Sequence, residues 1–298
     1  MISQNAWILT SVILAVVVAF DFTWAVIRRH QNTSLKEATV WSLFYVSLAI
    51  GFGIYLGTWT DSQTQQEFFA GWLTEYSLSF DNLFVFVIIL TRLKIEEKSK
   101  QLALLLGILI ALVFRIIAIT IGAAAIKQFE WIFFIFGGFL IYTAIHLFLE
   151  SSHEKEEEKE SRLITYLSAK GMKPFTIALI ALGATDILFA LDSIPAIFGL
   201  TENVYVVVTA NVFALMGLRQ LYFLIGGLMQ RLIYIGKGLS VILGFIGIKL
   251  LFHAFHAVDI HKIGGFKIPD ITITQSLSVI VACLAVATVA SLVKTSRK

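Results

Sequence analysis

Nine times along the chain about twenty mostly apolar residues follow one another, the length an α-helix needs to cross the ~30 Å hydrocarbon core of a bilayer. The runs occupy residues 6–27, 38–57, 69–91, 101–124, 130–149, 174–198, 204–226, 238–257 and 272–293. Backbone groups in lipid must be satisfied inside the protein, which leaves helices or closed barrels. Runs this long without two-residue alternation are helices. Composition agrees: 58% of the residues are hydrophobic and 14% charged, against about 45–50% and about 25% in soluble domains. The fold class expected is therefore all-α, a single polytopic membrane domain of about nine spans over residues 1–298. The first run is followed by Arg28 and Arg29 rather than preceded by basic residues, so it reads as a retained helix and not a signal peptide. One cysteine, Cys283, excludes a disulfide framework and a thiolate metal site.

Nine spans alternate sides, so the links fall into two groups. One group, comprising 28–37, 92–100, 227–237, the C-terminus and the longest link, 150–173, carries most of the 23 Lys and Arg. The other holds only Lys127, Lys262 and Lys267, while Arg115, Arg219 and Lys249 lie inside runs. Basic loops stay cytoplasmic, which predicts a bacterial inner-membrane protein with its N-terminus outside and its C-terminus inside. The tryptophans Trp7, Trp24, Trp41, Trp59, Trp72 and Trp131 mostly fall near run ends, where interfacial anchors belong.

Two segments repeat in order. TEYSLSFDNLFVF from Thr74 aligns with TDILFALDSIPAIF from Thr185, pairing Glu75 with Asp186, Asp81 with Asp192 and Asn82 with Ser193. The next run of each set pairs Arg115 and Gly122 with Arg219 and Gly226, and the third pairs Gly137 and His146 with Gly244 and His253. Ordered matches at nearly constant offset mark an internal repeat. Three spans per copy invert the second copy relative to the first, the arrangement that places a transported ion at the repeat interface near the midplane. The expected organisation is 1–68 for two peripheral spans, 69–149 for the first repeat, 150–173 for a cytoplasmic link, 174–257 for the second repeat, and 258–298 for an outer loop, the last span and a tail.

Ionisable groups within a span cost several kcal/mol and are functional candidates by default. Four acids, Glu75, Asp81, Asp186 and Asp192, face two arginines. An electroneutral bundle then has room for a cation or for protons. Within each pair the acids are six positions apart, which separates them by about 120° around the helix and about 9 Å along it. Such helices are expected to be central or locally broken, and Pro195, which removes a hydrogen bond to the Leu191 carbonyl, is the expected break. Carboxylates, the Asn82 amide and hydroxyls form a hard-oxygen set suited to Mn²⁺, Mg²⁺ or Ca²⁺. The expected metal residues are Glu75, Asp81, Asn82, Asp186, Asp192 and Ser193. Arg115, Arg219, Lys249, Asn211, Ser79 and Thr185 are read as supporting or charge-compensating. Asp21 is read as a snorkelled partner of Arg28 and Arg29. His253, His256, Asp259 and His261 form an outer cluster without a strict metal motif. No nucleophile triad, phosphate-cradling glycine loop or HExxH is present, so neither an enzyme nor a nucleic-acid binder is expected.

The strings EYSLSFDNLFVF, ATDILFALDSIPAIFGLT, NVFALMGLRQLYFLIGG and SVILGFIGIKLL resemble the TerC/Alx family of integral membrane proteins across nearly the whole chain. The resemblance implies manganese export, inverted three-helix repeats and a cation site at the six residues above. It also brings the tellurite resistance for which the family is named. Family members carry a further Glu at the position held here by Gly183. The function expected is export of a divalent cation, Mn²⁺ first and Ca²⁺ next, by proton antiport and with no permanently bound cofactor. The alternatives are a non-transporting scaffold in metal or tellurite stress and an oxyanion transporter. The partners expected are the ion, protons and the lipid bilayer.

Overall fold

The computed structural model describes residues 3–27, 34–129, 131–149, 162–228, 232–263 and 266–296. Ala25, Asp81, Phe84, Glu97, Lys98, 225–228, Ile263, Phe266 and Ser296 are described in their backbone only. Five helices come first: α1 Gln4–Ile27, α2 Leu35–Trp59, α3 Ser62–Arg92, α4 Glu97–Gln128 and α5 Ile132–Leu149. A short helix α6 over residues 162–169 precedes α7 Pro174–Phe198, α8 Val204–Met216, α9 Leu218–Leu228 and α10 Ile235–Ala257. The two-residue strands β1 Lys262–Ile263 and β2 Phe266–Lys267 pair antiparallel before α11 Ile273–Ser296. Among the described residues nine helical spans are long and apolar enough to cross a membrane, with α8 and α9 together forming one. Each corresponds to one of the nine apolar runs.

The helix starts follow local chemistry. Ser34 accepts from the Glu37 backbone N–H at the head of α2, and Asp61 does the same for Thr64 at the head of α3. Pro174 occupies the first turn of α7, where its missing N–H costs nothing. Asn203 accepts from Tyr205 N–H to start α8. The long span formed by α8 and α9 is interrupted at Gly217, where an added Cβ would lie 3.5 Å from Tyr76 and 3.7 Å from Tyr45.

Packing between the two halves is reciprocal. The first helix of one set, α3, lies against the second of the other, α8, and α4 lies against α7 in the same way. The two first helices, α3 and α7, touch, and the two third helices, α5 and α10, share the most extensive contact in the molecule. At that contact Gly137 and Gly247 let the backbones meet. A Cβ on Gly137 would fall 2.9 Å from the Gly247 carbonyl oxygen, and one on Gly247 3.0 Å from that of Gly137. Small residues at a crossing are how membrane helices gain dispersion contact, since lipid gives no hydrophobic drive between them. Helices α1 and α2 pack outside this unit, α2 on α3 and α9, and α11 packs on α10 and α3.

Two expectations change here. Pro195 does not break its helix: α7 continues to Phe198, and the Pro195 carbonyl accepts from Gly199 N–H at 2.9 Å. The proline stands within a turn of the helix end, so it frees little beyond the Leu191 carbonyl. The interruption lies instead at Gly217, in the partner span. Trp72 is a core residue rather than an interfacial anchor, because α3 begins at Ser62 and carries Trp72 three turns inside, where it is buried with Phe68 and Phe213.

Candidate ion site and outer cavity

Among the described residues Arg115 is the largest fully buried side chain. It projects from the middle of α4 to where α3 and α7 meet. Its Nε and Nη2 donate to the two carboxylate oxygens of Asp186, each at 3.1 Å, a bidentate fork. Its Nη1 pairs with Glu75 Oε1 and donates to Ser193 Oγ at 3.4 Å. Ser79 Oγ donates to the same Glu75 oxygen at 3.1 Å. Glu75, Ser79, Asp186 and Ser193 are all buried. One guanidinium thus bridges an acid from each half, on faces that the helix repeat sets inward: Glu75 and Ser79 are one turn apart on α3, Asp186 and Ser193 two turns apart on α7. Two carboxylates against one guanidinium leave this cluster with a surplus negative charge.

Several buried polar atoms have no hydrogen-bond partner among the described residues: Glu75 Oε2 in this cluster, Thr74 Oγ1 on the preceding residue and both amide atoms of Asn211 on α8. Asn211 follows Ala210, which packs against Gly71 one turn before Glu75. A buried polar atom left unpaired costs about 1–3 kcal/mol, so unsatisfied oxygens beside surplus negative charge suit a cation or a proton. Among the described residues no three His, Cys, Asp or Glu side chains are gathered as a metal cage, and the space between Glu75 and Asp186 is filled by Arg115.

The other candidate residues distribute differently. Asp192 is half-buried and turns to α5, accepting from Thr143 Oγ1 at 3.5 Å, away from Arg115. On its side of α7 Leu188 and Leu191 are exposed, so α7 is not enclosed on all sides. Thr185 donates back to the Ala181 carbonyl. Asn82 is half-buried on α3, and the Asp81 side chain lies outside the described residues. Arg219 does not stand opposite a second-half acid: its Nη2 donates to Asp21 Oδ1 at 2.6 Å, and Tyr45 Oη donates to the same oxygen at 2.7 Å. Asp21 therefore ties α1 to α2 and α9, where pairing with Arg28 and Arg29 was expected; those arginines lie outside the described residues. At Gly183 a Cβ would come within 3.1 Å of the Ile110 side chain on α4, so a side chain there needs Ile110 to shift by a few tenths of an ångström.

Toward the end of the bundle formed by the start of α3 and the end of α7 lies a cavity of about 520 Å³, with Asp61, Glu67, Glu202, Lys249 and His253 among its lining residues. Glu67 accepts from Thr201 Oγ1 at 2.5 Å and from Gln63 Nε2 at 2.9 Å. Glu202 pairs with His253 Nε2 at 3.2 Å, and that hydrogen bond holds its carboxyl below the usual carboxylate range. The Asp61 carboxyl is lowered in the same sense by the Thr64 backbone N–H. Lys249 thus faces this cavity and not the Arg115 cluster. His256 pairs with Asp270 at 3.1 Å and His261 with Asp259 at 4.0 Å, so the outer histidines are matched one to one with acids. Glu67 was missed because it precedes the apolar run. Its signal was spacing, since eight residues place it about 12 Å from Glu75 along one helix.

The sequence pattern of the integral membrane protein TerC family matches residues 60–298. An uncharacterized membrane protein of Mycobacterium tuberculosis is 42% identical over 97% of this chain and 79% of its own length. A protein of Photorhabdus laumondii described as a putative membrane-bound redox modulator Alx is 31% identical over 93% of this chain and 95% of its own. Its namesake in Shigella flexneri is 33% identical over 84% and 87%. No solved structure matches the chain.

Proposed function

As the chain belongs to the integral membrane protein TerC family, we propose that it exports a divalent cation, Mn²⁺ ahead of Ca²⁺, in exchange for protons across a bacterial inner membrane. The observation that carries this reading is the buried Arg115 bridge between Glu75 and Asp186. A guanidinium held by two carboxylates at the contact of the two halves stands where a cation would stand. It keeps the acids compensated while no ion is bound, and it yields to an ion that brings more charge. Protonation removes carboxylate ligation, so the same two acids serve loading and release. The reciprocal packing of α3–α5 with α7–α10 supports an inverted repeat that rocks about this point. The cavity around Glu67 and Glu202 supplies a negatively charged mouth on the same two helices. With the basic links cytoplasmic, that mouth faces outside, as do the N-terminus and the β1–β2 hairpin.

Relatives described as redox modulators do not redirect this reading to thiol chemistry, because Cys283 is the chain's one cysteine and no internal dithiol couple exists. The test is flux in proteoliposomes with Mn²⁺, Ca²⁺ and tellurite, each with and without a pH gradient. Wild type is expected to move Mn²⁺ faster when protons can exchange, and Glu75→Gln and Asp186→Asn to abolish flux while eluting as folded protein. Asp81→Asn and Asp192→Asn test the second acid of each pair. Normal Mn²⁺ flux in both Glu75→Gln and Asp186→Asn removes the site assignment. No flux of any ion by wild type favours the scaffold.

A further inference from the structure

A second cavity, of about 500 Å³, opens on the lipid-facing side of the bundle between α10, α11 and the end of α5. Its walls are apolar, formed by Val241 on α10, by Ala282, Cys283, Val286 and Ala290 on α11, and by Phe148 of α5. The groove exists because α10 and α11 close tightly at its floor, where a Cβ on Gly238 would lie 2.8 Å from that of Ala287. From Ala290 to Ala282 it runs about 12 Å along α11, close to the ~15 Å of one leaflet's hydrocarbon.

One end of the groove is different. Tyr234 and Lys237 line it at the start of α10, and Lys294 in the last turn of α11 donates to Tyr234 Oη at 2.8 Å. The Lys237 ammonium lies 5.8 Å from the Phe148 ring centre and that of Lys294 5.2 Å from the Tyr234 ring. Neither has a carboxylate partner among the described residues. Two ammoniums without a carboxylate partner among the described residues, and a phenol, therefore crown an apolar slot of acyl-chain length, on the face that carries the basic links.

We propose that this groove is a binding site for an anionic phospholipid, with one acyl chain along α11 and the phosphate between Lys237, Lys294 and Tyr234. Charge complementarity selects the headgroup, since basic pockets between spans hold anionic lipids and each nearby Lys adds to the attraction. The apolar walls select a lipid over a free anion. The site is separate from the Arg115 cluster and stands whether or not the chain transports an ion.

The test uses the full-length protein, purified and delipidated in detergent, with bound lipids counted by native mass spectrometry. Phosphatidylglycerol and phosphatidylcholine of identical acyl chains are titrated separately. Wild type is expected to hold phosphatidylglycerol ~10-fold or more tightly than phosphatidylcholine. The double variant Lys237→Ala, Lys294→Ala is expected to bind the two within about twofold, its unfolding midpoint in lipid-free detergent unchanged. Val286→Trp, at a lipid-exposed wall position, is expected to displace both lipids. Equal retention of the two lipids by wild type overturns the proposal, and so does a preference that survives in the double variant. Displacement of phosphatidylglycerol by the same concentration of inorganic phosphate also overturns it, since the site would then be one for a free anion.

Discussion

Replacing Arg115 with methionine keeps the unbranched apolar stem of the side chain and removes its charged end, leaving Glu75 and Asp186 buried without a counter-ion. The fork to Asp186 has both contacts at 3.1 Å, and one ion pair at that distance is worth about 5 kcal/mol at an effective dielectric of ~20. The Glu75 contact adds a second attraction of that order, opposed by the several kcal/mol needed to desolvate each ion. Breaking such a set from one side costs about 3–5 kcal/mol, because the partners stay buried and unpaired. Reversible unfolding in mixed detergent micelles measures that loss directly. Neutralising all three groups together, as Glu75→Gln, Arg115→Met and Asp186→Asn, is expected to recover most of it, since replacing a whole buried ion set is often nearly neutral.

The same variant separates a merely structural pair from a cation placeholder. If the guanidinium stands in for an ion, Mn²⁺ is expected to stabilise Arg115→Met more than wild type, by about 2.7 kcal/mol at a hundred times its dissociation constant. Potassium chloride at equal ionic strength serves as the control. A destabilised Arg115→Met that gains nothing from Mn²⁺, Ca²⁺ or Mg²⁺ makes the pair structural and refutes the placeholder argument. Wild-type stability in Arg115→Met refutes the electrostatic argument beneath it.

Arg219→Met strands Asp21 and is expected to cost about 3 kcal/mol, while Tyr45→Phe removes one hydrogen bond to the same carboxylate and costs about 1.5 kcal/mol; Mn²⁺ flux per folded molecule should be unchanged in both, and loss of flux without loss of stability would place the pair in the ion path. Asp61→Ala removes the cap of α3 and is expected to cost about 1 kcal/mol at neutral pH, whereas Asp61→Asn keeps it. The Asp61 carboxyl is lowered in the folded protein, so its contribution is present above the unfolded value near ~3.9 and fades as pH falls through the lower folded value. A gap between the Asp61→Ala and wild-type unfolding midpoints that widens on acidification would contradict that sign. Gly247→Val places methyl groups against the Gly137 carbonyl and is expected to cost about 1–3 kcal/mol or more by forcing α5 from α10, read as a lowered midpoint with helical content retained.

The spans were legible because hydropathy over twenty residues needs no knowledge of neighbours. Which way each helix faces was not. In a bilayer both lipid and neighbouring helices are apolar, so the pattern that points a soluble helix at its core is weak. The acids Glu75 and Asp186 were visible as charges in oil, but that they close on Arg115 while Asp192 turns to Thr143 depends on rotations about α3, α4 and α7. Arg219 illustrates the limit more sharply. By repeat position it matches Arg115, and it was read with Arg115 as a compensating partner of the in-span acids. Its partner is Asp21 on α1, a helix outside the repeat, and no internal symmetry could name it. Pro195 shows a local limit: whether a proline breaks a helix depends on its distance from the helix end, and hydropathy alone does not mark that α7 ends at Phe198.

The unequal fates of the two arginines bear on which ion the proposed site would accept. An oxyanion carrier would need a guanidinium free to receive its load. Arg115 is engaged by Asp186, Glu75 and Ser193, and Arg219 is engaged through one Nη by Asp21, its Nε having no partner among the described residues. An entering oxyanion would have to evict a buried carboxylate and leave it without a counter-ion, at the several kcal/mol that such isolation costs. An entering cation does the opposite: it displaces a guanidinium that can fall back on water or on backbone carbonyls, and it meets acids already in surplus. Asp192 is half-buried and paired with neither arginine, its contact being with Thr143. The arrangement around Arg115 therefore favours the proposed cation over the oxyanion alternative.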